Sequence, residues 1–304
     1  MINGILLLIA AGFFQGSFGL GYKKYAPFTW AAFWCVYSIM CVALPTAAAH
    51  LLAGDATLTA APLPFCCGAL WGLSAIGFSK AIDKIGMSMV YGISMGVSTI
   101  TGSVIPMIMD GIPGDTKIRS LLPGYFLTIA GVAVITAAGV KRDGGVKGSR
   151  TGILLAVFSG LGSGAMNIGF QFVTVSGAST YLAESALRWL PVLWGGGLMS
   201  VLWCIAELSK KRGWKSLTGR KAGRRYIILL VVSMVWYGAL LLYGVSVNML
   251  DGALGAMGWL LFHALALIVS LVWGIVSGEW KGHSKKMLYC GCALLVAAWI
   301  LIGG

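Results

Sequence analysis

Apolar residues run along this 304-residue chain in long blocks, with the charged residues gathered in the short stretches between them. A helix that crosses a hydrocarbon core of about 30 Å needs about 20 apolar residues. Blocks of that length recur at approximately 2–22, 28–52, 63–82, 85–109, 121–140, 151–175, 183–206, 226–247, 253–278 and 286–303. They lack the alternation of the roughly ten-residue strands of a membrane barrel, and backbone within lipid must satisfy its own hydrogen bonds. The pattern predicts an all-α polytopic membrane protein with ten transmembrane helices and little chain left for a soluble domain.

The first block is echoed by the sixth. GILLLIAAGFFQGSFGLGY (4–22) aligns with GILLAVFSGLGSGAMNIGF (152–170), with identities at Gly4/Gly152, Ile5/Ile153, Leu6/Leu154, Leu7/Leu155, Gly12/Gly160, Gly16/Gly164 and Gly21/Gly169. Pro45 corresponds closely to Pro191, WGLSAIGF from Trp71 to WYGALLLY from Trp236, and GMSMVYG from Gly86 to GALGAMG from Gly252. Two repeats are therefore expected, 1–150 and 151–304, each of five helices. An odd number of crossings makes the second copy enter from the opposite face, so the repeat is inverted. That architecture places a substrate site near the midplane between the halves and alternates its exposure, as in secondary transporters.

Glycine pairs such as Gly12/Gly16, Gly68/Gly72, Gly92/Gly96, Gly160/Gly164 and Gly274/Gly278 have the small-xxx-small spacing that lets helices approach closely. GLGSG at 160–164 lies inside an apolar block with no preceding strand, which argues against a nucleotide-binding loop. Pro45, Pro106 and Pro191 fall within spans; they either shape the helices or leave carbonyls free to line a cavity.

Composition agrees with lipid as the solvent: 58% of residues are hydrophobic and 10% charged, against roughly 25% charged in soluble domains. The net charge of +13 is no sign of nucleic-acid binding, because of where it lies. Nineteen of the 22 Lys and Arg residues fall in the connections after spans 1, 3, 5, 7 and 9, leaving Lys117, Arg119 and Arg188 for the other face. The positive-inside rule makes the basic loops cytoplasmic and puts both termini outside. KKRGWKSLTGRKAGRR (210–225) reads as an orientation signal or a contact for anionic lipid headgroups. The first span has no positive region before it and is not read as a cleaved signal peptide. Seven cysteines without ligand spacing read as packing residues.

Few charges fall inside the spans. Lys80 and Asp83 are placed to pair at the cytoplasmic end of span 3, and Glu184 and Arg188, spaced i,i+4, form either a local salt bridge or a gate or proton site. His263 lies within span 9 near the midplane, where an ionisable group is a functional candidate and histidine titrates in the range a proton-coupled carrier uses; a neutral packed histidine is the alternative. Around it the interior offers uncharged polar groups, including Gln15, Ser94, Ser98, Thr99, Thr101, Asn167 and Gln171, and the aromatic faces of Trp71, Tyr91, Trp236, Tyr237, Tyr243 and Trp259. Sugars need both, because their hydroxyls demand directed hydrogen bonds while their C–H faces lie on rings. Between the copies, Gln15 stands against Ser163 and Gly19 against Asn167, differences expected around an asymmetric ligand.

GALWGLSAIGFSKAIDKIGMSMVYGISMG (68–96), KKYAPFTWAAFW (23–34), WGGG (194–197) and GEW (278–280) resemble the L-rhamnose–proton symporter family of the drug/metabolite transporter superfamily, and GILLAVFSGLGSGAMN from Gly152 is similar to its sixth helix. The likeness covers most of the chain, with IGMSM (85–89) its most specific part; the chain is shorter than family members, chiefly in its loops. The resemblance implies ten helices in a five-plus-five fold, the inner membrane of a bacterium, and proton-driven uptake of a deoxysugar. His263 matches a family histidine after a one-residue shift.

The expectation is a proton-coupled monosaccharide symporter. Trp71, Tyr91, Trp236, Tyr237, Tyr243 and Trp259 would wall the sugar, and Gln15, Ser94, Asn167 and Gln171 would bond its hydroxyls. His263 is the first candidate for the coupling proton and Glu184 the second. A facilitator or exporter of another small neutral metabolite is the alternative on the same scaffold. No cofactor beyond the proton is expected, and the pattern specifies no oligomeric state. His50, His263 and His283 are scattered and form no catalytic cluster, which argues against an enzyme.

Overall fold

The computed structural model describes residues 2–18, 20, 28–59, 62–110, 118–144, 149–219, 222–250 and 252–303. Lys23, Lys24, Asp115, Lys117, Lys147, Arg220, Lys221, Asp251 and the repeat positions Gly19 and Gly21 lie outside the described residues. The helices are α1 (Ile2–Ser17), α2 (Trp30–Leu52), α3 (Pro62–Ile85), α4 (Met87–Asp110), α5 (Ile118–Arg142), α6 (Arg150–Gln171), α7 (Tyr181–Lys210), α8 (Ala222–Met249), α9 (Gly252–Ala256), α10 (Gly258–Val276) and α11 (Lys286–Gly303). Among the described residues, eight helices are long and apolar enough to cross a membrane, and α1 and α11 are shorter apolar helices.

Local sequence explains the helix starts. Thr29, Ser149 and Thr180 each accept a hydrogen bond on the side-chain oxygen from the backbone N–H three residues on, at 3.2, 3.2 and 3.1 Å. Each satisfies one of the donors a first turn leaves over. Lys84, Lys141, Arg142 and Lys210 sit in the last turns of α3, α5 and α7, where the helix dipole favours cations.

Two expected spans differ in detail. The ninth is interrupted at Met257, which separates α9 from α10. The sixth stops at Gln171, and Thr174–Ser176 forms a short strand β2 paired antiparallel with β1 (Thr57–Thr59). Thr57, Thr59, Thr174 and Val175 are β-branched, and such residues favour extended backbone.

Contacts at the helix ends sort the connections into two faces. On the basic face, Trp273 Nε1 donates to Ser17 Oγ at 2.9 Å, Arg142 pairs with Glu279, and Gly152 packs on Lys84 and Ile85. On the opposite face, β1 meets β2 and Ser246 Oγ donates to the Gly4 carbonyl at 2.8 Å. Between the faces, α6 packs on α3 and α4, α1 on α8 and α10, α2 on α7, and α5 on α11. Bulky apolar side chains such as Leu6, Leu154, Val276 and Ile300 remain exposed on the perimeter, the arrangement expected of a body solvated by lipid.

The backbones of α3 and α7 approach closely. A methyl group at Gly72 would overlap the Gly196 carbonyl oxygen, and one at Gly196 would overlap the Trp71 ring. Hydrogen in place of a side chain is what lets these backbones touch. Ser200 Oγ then donates to the Gly72 carbonyl at 3.3 Å across the same seam.

Candidate functional site

A ladder of small polar groups runs between α4 and α6. Ser94 and Ser159 share a hydrogen bond of 3.0 Å, Ser98 Oγ donates to Ser163 Oγ at 2.9 Å, and Asn167 Nδ2 donates to the Gly102 carbonyl at 2.8 Å. The rungs are four residues apart on both helices, about one helical turn, so α4 and α6 lie side by side in the same direction. Pro106 explains the top rung. A helix carbonyl at position 102 would ordinarily accept from the N–H of residue 106, and proline has none. The freed Gly102 oxygen takes the Asn167 amide instead.

Two aromatic donors close this ladder from the other helices. Tyr243 on α8 donates its hydroxyl to Asn167 Oδ1 at 2.8 Å, and Trp259 on α10 donates its indole N–H to Ser98 Oγ at 3.3 Å. The two rings meet edge to face with centroids 5.3 Å apart. Gly102 makes room: a methyl group there would overlap the Trp259 indole. Four helices thus converge on uncharged donors and acceptors, all buried except the half-buried Ser163.

His263 lies one turn along α10 from Trp259, with ring centroids 4.3 Å apart and only 4% of its surface exposed. Its Nδ1 is 3.0 Å from the Trp259 carbonyl oxygen. A carbonyl can only accept, so Nδ1 carries the hydrogen and the lone pair of the neutral ring is on Nε2. A proton would be taken up there.

The other expected residues occupy three further places. Trp71 on α3 and Trp236 on α8 stack nearly parallel, 5.5 Å apart with an interplanar angle of 9°, and Tyr37 meets Trp236 edge-on at 5.6 Å. Tyr91 lies edge-on to Phe78 at 5.3 Å and lines a crevice at the basic face. Gln171 and Glu184 stand at the opposite face around Arg188. That guanidinium donates to the carbonyls of Phe170 and Gln171 at 3.2 and 3.1 Å and to Asn248 Oδ1 at 3.0 Å, and lies 3.6 Å from the Glu184 carboxylate. It also covers the Phe170 ring at 4.5 Å, so Arg188 caps α6 and ties it to α7 and α8. Gln15 Oε1 and the Tyr237 hydroxyl are buried with no hydrogen-bond partner among the described residues. The structure therefore brings Ser94, Asn167, Tyr243, Trp259 and His263 onto one connected arrangement.

Sequence reasoning missed Ser159, the Pro106-freed carbonyl as a rung, the bracing by Arg188, and the Arg142–Glu279 contact. The serine spacing, 94/98 against 159/163, was a readable signal for the first; the others depend on which helices meet.

Apolar helices packed around an uncharged polar interior define a polytopic membrane protein. The family model described as L-rhamnose-proton symport protein (RhaT) matches residues 1–304, and the chain belongs to that family, which comprises symporters rather than enzymes. It is similar to the L-rhamnose-proton symporters of Cronobacter sakazakii, 24% identical over 99% of this chain and 96% of the relative, and of Yersinia pestis, 22% identical over 100% and 97%. That of Salmonella dublin is 26% identical over 93% of this chain and 91% of its own length. A solved crystal structure superposes with a TM-score of 0.66 over 99% of this chain and 96% of its own at 13% identity, a likeness of fold alone.

Proposed function

We propose that the chain carries L-rhamnose, or a close monosaccharide neighbour, into the cell together with a proton by alternating access. The observation that carries this reading is the Asn167–Gly102–Tyr243 and Trp259–Ser98–Ser163 network, in which neutral hydrogen-bonding groups and aromatic faces meet between the two proposed halves. A sugar hydroxyl can replace each of these protein–protein bonds at little net change in free energy, since a typical hydrogen bond contributes only about 1 kcal/mol net. Such exchangeable contacts suit a site that must bind and release on every cycle.

In this reading ten helices cross the inner membrane of a bacterium as a five-plus-five inverted repeat, residues 1–150 and 151–304, with both termini periplasmic, the basic face cytoplasmic and lipid around the perimeter. The packing supports it. Exchanging α1 with α6, α2 with α7, α3 with α8, α4 with α10 and α5 with α11 turns the α3–α6 contact into α8–α1 and α4–α6 into α10–α1, and returns α2–α7, α4–α10 and α5–α11 to themselves. Trp71 and Trp236, matched positions of the two halves, stack on one another. Because the ladder joins α4 of one half to α6 of the other, relative movement of the halves must break it.

Among the sugar contacts, Asn167, Tyr243, Trp259 and Ser94 have the strongest support, with Trp71, Trp236, Tyr237, Gln15, Tyr91 and Gln171 along the remaining path. His263 is the first choice for the proton and Glu184 the second. A charge on His263 at mid-membrane costs several kcal/mol unless it meets water or a partner. Its proton is thereby linked to the position of Trp259, whose carbonyl holds the ring and whose indole holds the ladder. Uptake of labelled L-rhamnose into proteoliposomes, competed by an excess of each of a panel of sugars, tests the substrate. Competition by L-rhamnose and its deoxysugar neighbours is expected, and indifference to all of them would sink the assignment.

A further inference from the structure

We propose that the crevice at the basic-face ends of α1, α4, α5 and α10 is a second holding site for the transported sugar, occupied on its way out of the protein, with the Arg142–Glu279 ion pair as its lid. This rests on the reading of the chain as a monosaccharide carrier. The crevice encloses about 170 Å³, below the roughly 300 Å³ at which sites for drug-sized ligands begin and suited to one small solute.

Its lining has the chemistry a sugar requires. Tyr91, Trp273 and Trp280 supply ring surfaces, and Thr136, Ser270, Arg142 and Glu279 supply polar groups. The Thr136 and Ser270 hydroxyls donate to carbonyls of their own helices, Val132 at 2.7 Å and Leu267 at 3.1 Å, which leaves their oxygen lone pairs able to accept from a ligand hydroxyl. The indole N–H of Trp273 is held by Ser17. The contrast with a groove of about 530 Å³ between α4 and α5 is informative: that groove is lined almost wholly by aliphatic and aromatic side chains, including the exposed Ile108 and Phe126, and suits lipid rather than sugar.

The lid joins the last turn of α5 to the turn after α10. Arg142 Nη1 lies 3.3 Å from Glu279 Oε2, its Nε donates to Asp143 Oδ1 at 2.8 Å, and its guanidinium covers the Trp280 ring at 5.0 Å. Gly278, at φ +81°, makes the reversal that presents Glu279 to Arg142. The side chains are 20% and 36% exposed, so water can replace the contact between them and the pair can open.

The test uses the full chain in proteoliposomes. Ser270→Cys is labelled from the basic face with a membrane-impermeant maleimide, and modification at position 270 is read by mass spectrometry. L-rhamnose is expected to slow labelling several-fold, and Glu279→Gln to speed it several-fold by opening the lid. The protection is expected to persist when the central network is damaged by Asn167→Ala or, if that variant does not assemble, Tyr243→Phe. Protection lost in the damaged background, or absent while the wild-type chain transports, would overturn the second site and leave the transport reading standing. A labelling rate unchanged by Glu279→Gln would remove the lid. Absence of sugar transport by the wild-type chain would remove the transport reading and this inference together.

Discussion

Tyr243 donates its hydroxyl to Asn167 Oδ1 at 2.8 Å, joining α8 to α6 at the point where the same amide holds the Gly102 carbonyl of α4. Both residues are buried, Tyr243 completely. Tyr243→Phe keeps the ring and leaves Asn167 Oδ1 without its partner. A buried acceptor stranded in this way costs about 1–3 kcal/mol. The variant should melt at a lower temperature in detergent and show a weaker apparent affinity for sugar; an unchanged KM would place this hydroxyl outside the binding path.

Pro106 bears on the same amide from the other side. Pro106→Ala restores the N–H that competes for the Gly102 carbonyl and removes a helix penalty of up to about 3 kcal/mol. A chain that is at least as stable but transports several-fold more slowly is expected. Comparison of thermal melts with initial uptake rates checks this, and full activity would show that the carbonyl is not functionally engaged.

Gly72→Ala sets a methyl group against the Gly196 carbonyl oxygen. Backbone cannot rotate aside as a side chain can, so α3 and α7 must separate. Overpacking of this kind typically costs about 1–3 kcal/mol. Reduced yield of folded protein and a lower melting temperature are the expected outcome, whereas wild-type stability would mean the seam is looser than described.

His263→Ala removes the ring whose lone pair is on Nε2 and leaves the Trp259 carbonyl with its helical partner. Exchange of labelled for unlabelled sugar should survive while accumulation against a gradient is lost. If uphill accumulation survives, Glu184 becomes the residue to replace next.

Eight of the expected spans and the class of protein were legible in the sequence because hydropathy reports how long each segment can remain in lipid. It does not report which side of a helix meets which neighbour. Asn167, Tyr243 and Trp259 were legible as polar or aromatic residues inside spans, but only packing shows that they share one network while Tyr91 stands at the basic face and Gln171 at the other. The break at Met257 was hidden because α9 and α10 are both apolar and no proline marks the junction. Arg142 and Glu279 read as ordinary loop charges, since 137 residues separate them and nothing local says that they meet.

Accumulation of labelled L-rhamnose by proteoliposomes of the purified chain, with and without an imposed inward proton gradient, tests the central claim most directly. Uptake should rise above the external concentration when the gradient is present and fall to equilibration when a protonophore collapses it. Accumulation indifferent to the gradient, or no uptake of L-rhamnose under either condition, would contradict proton-coupled transport of this sugar.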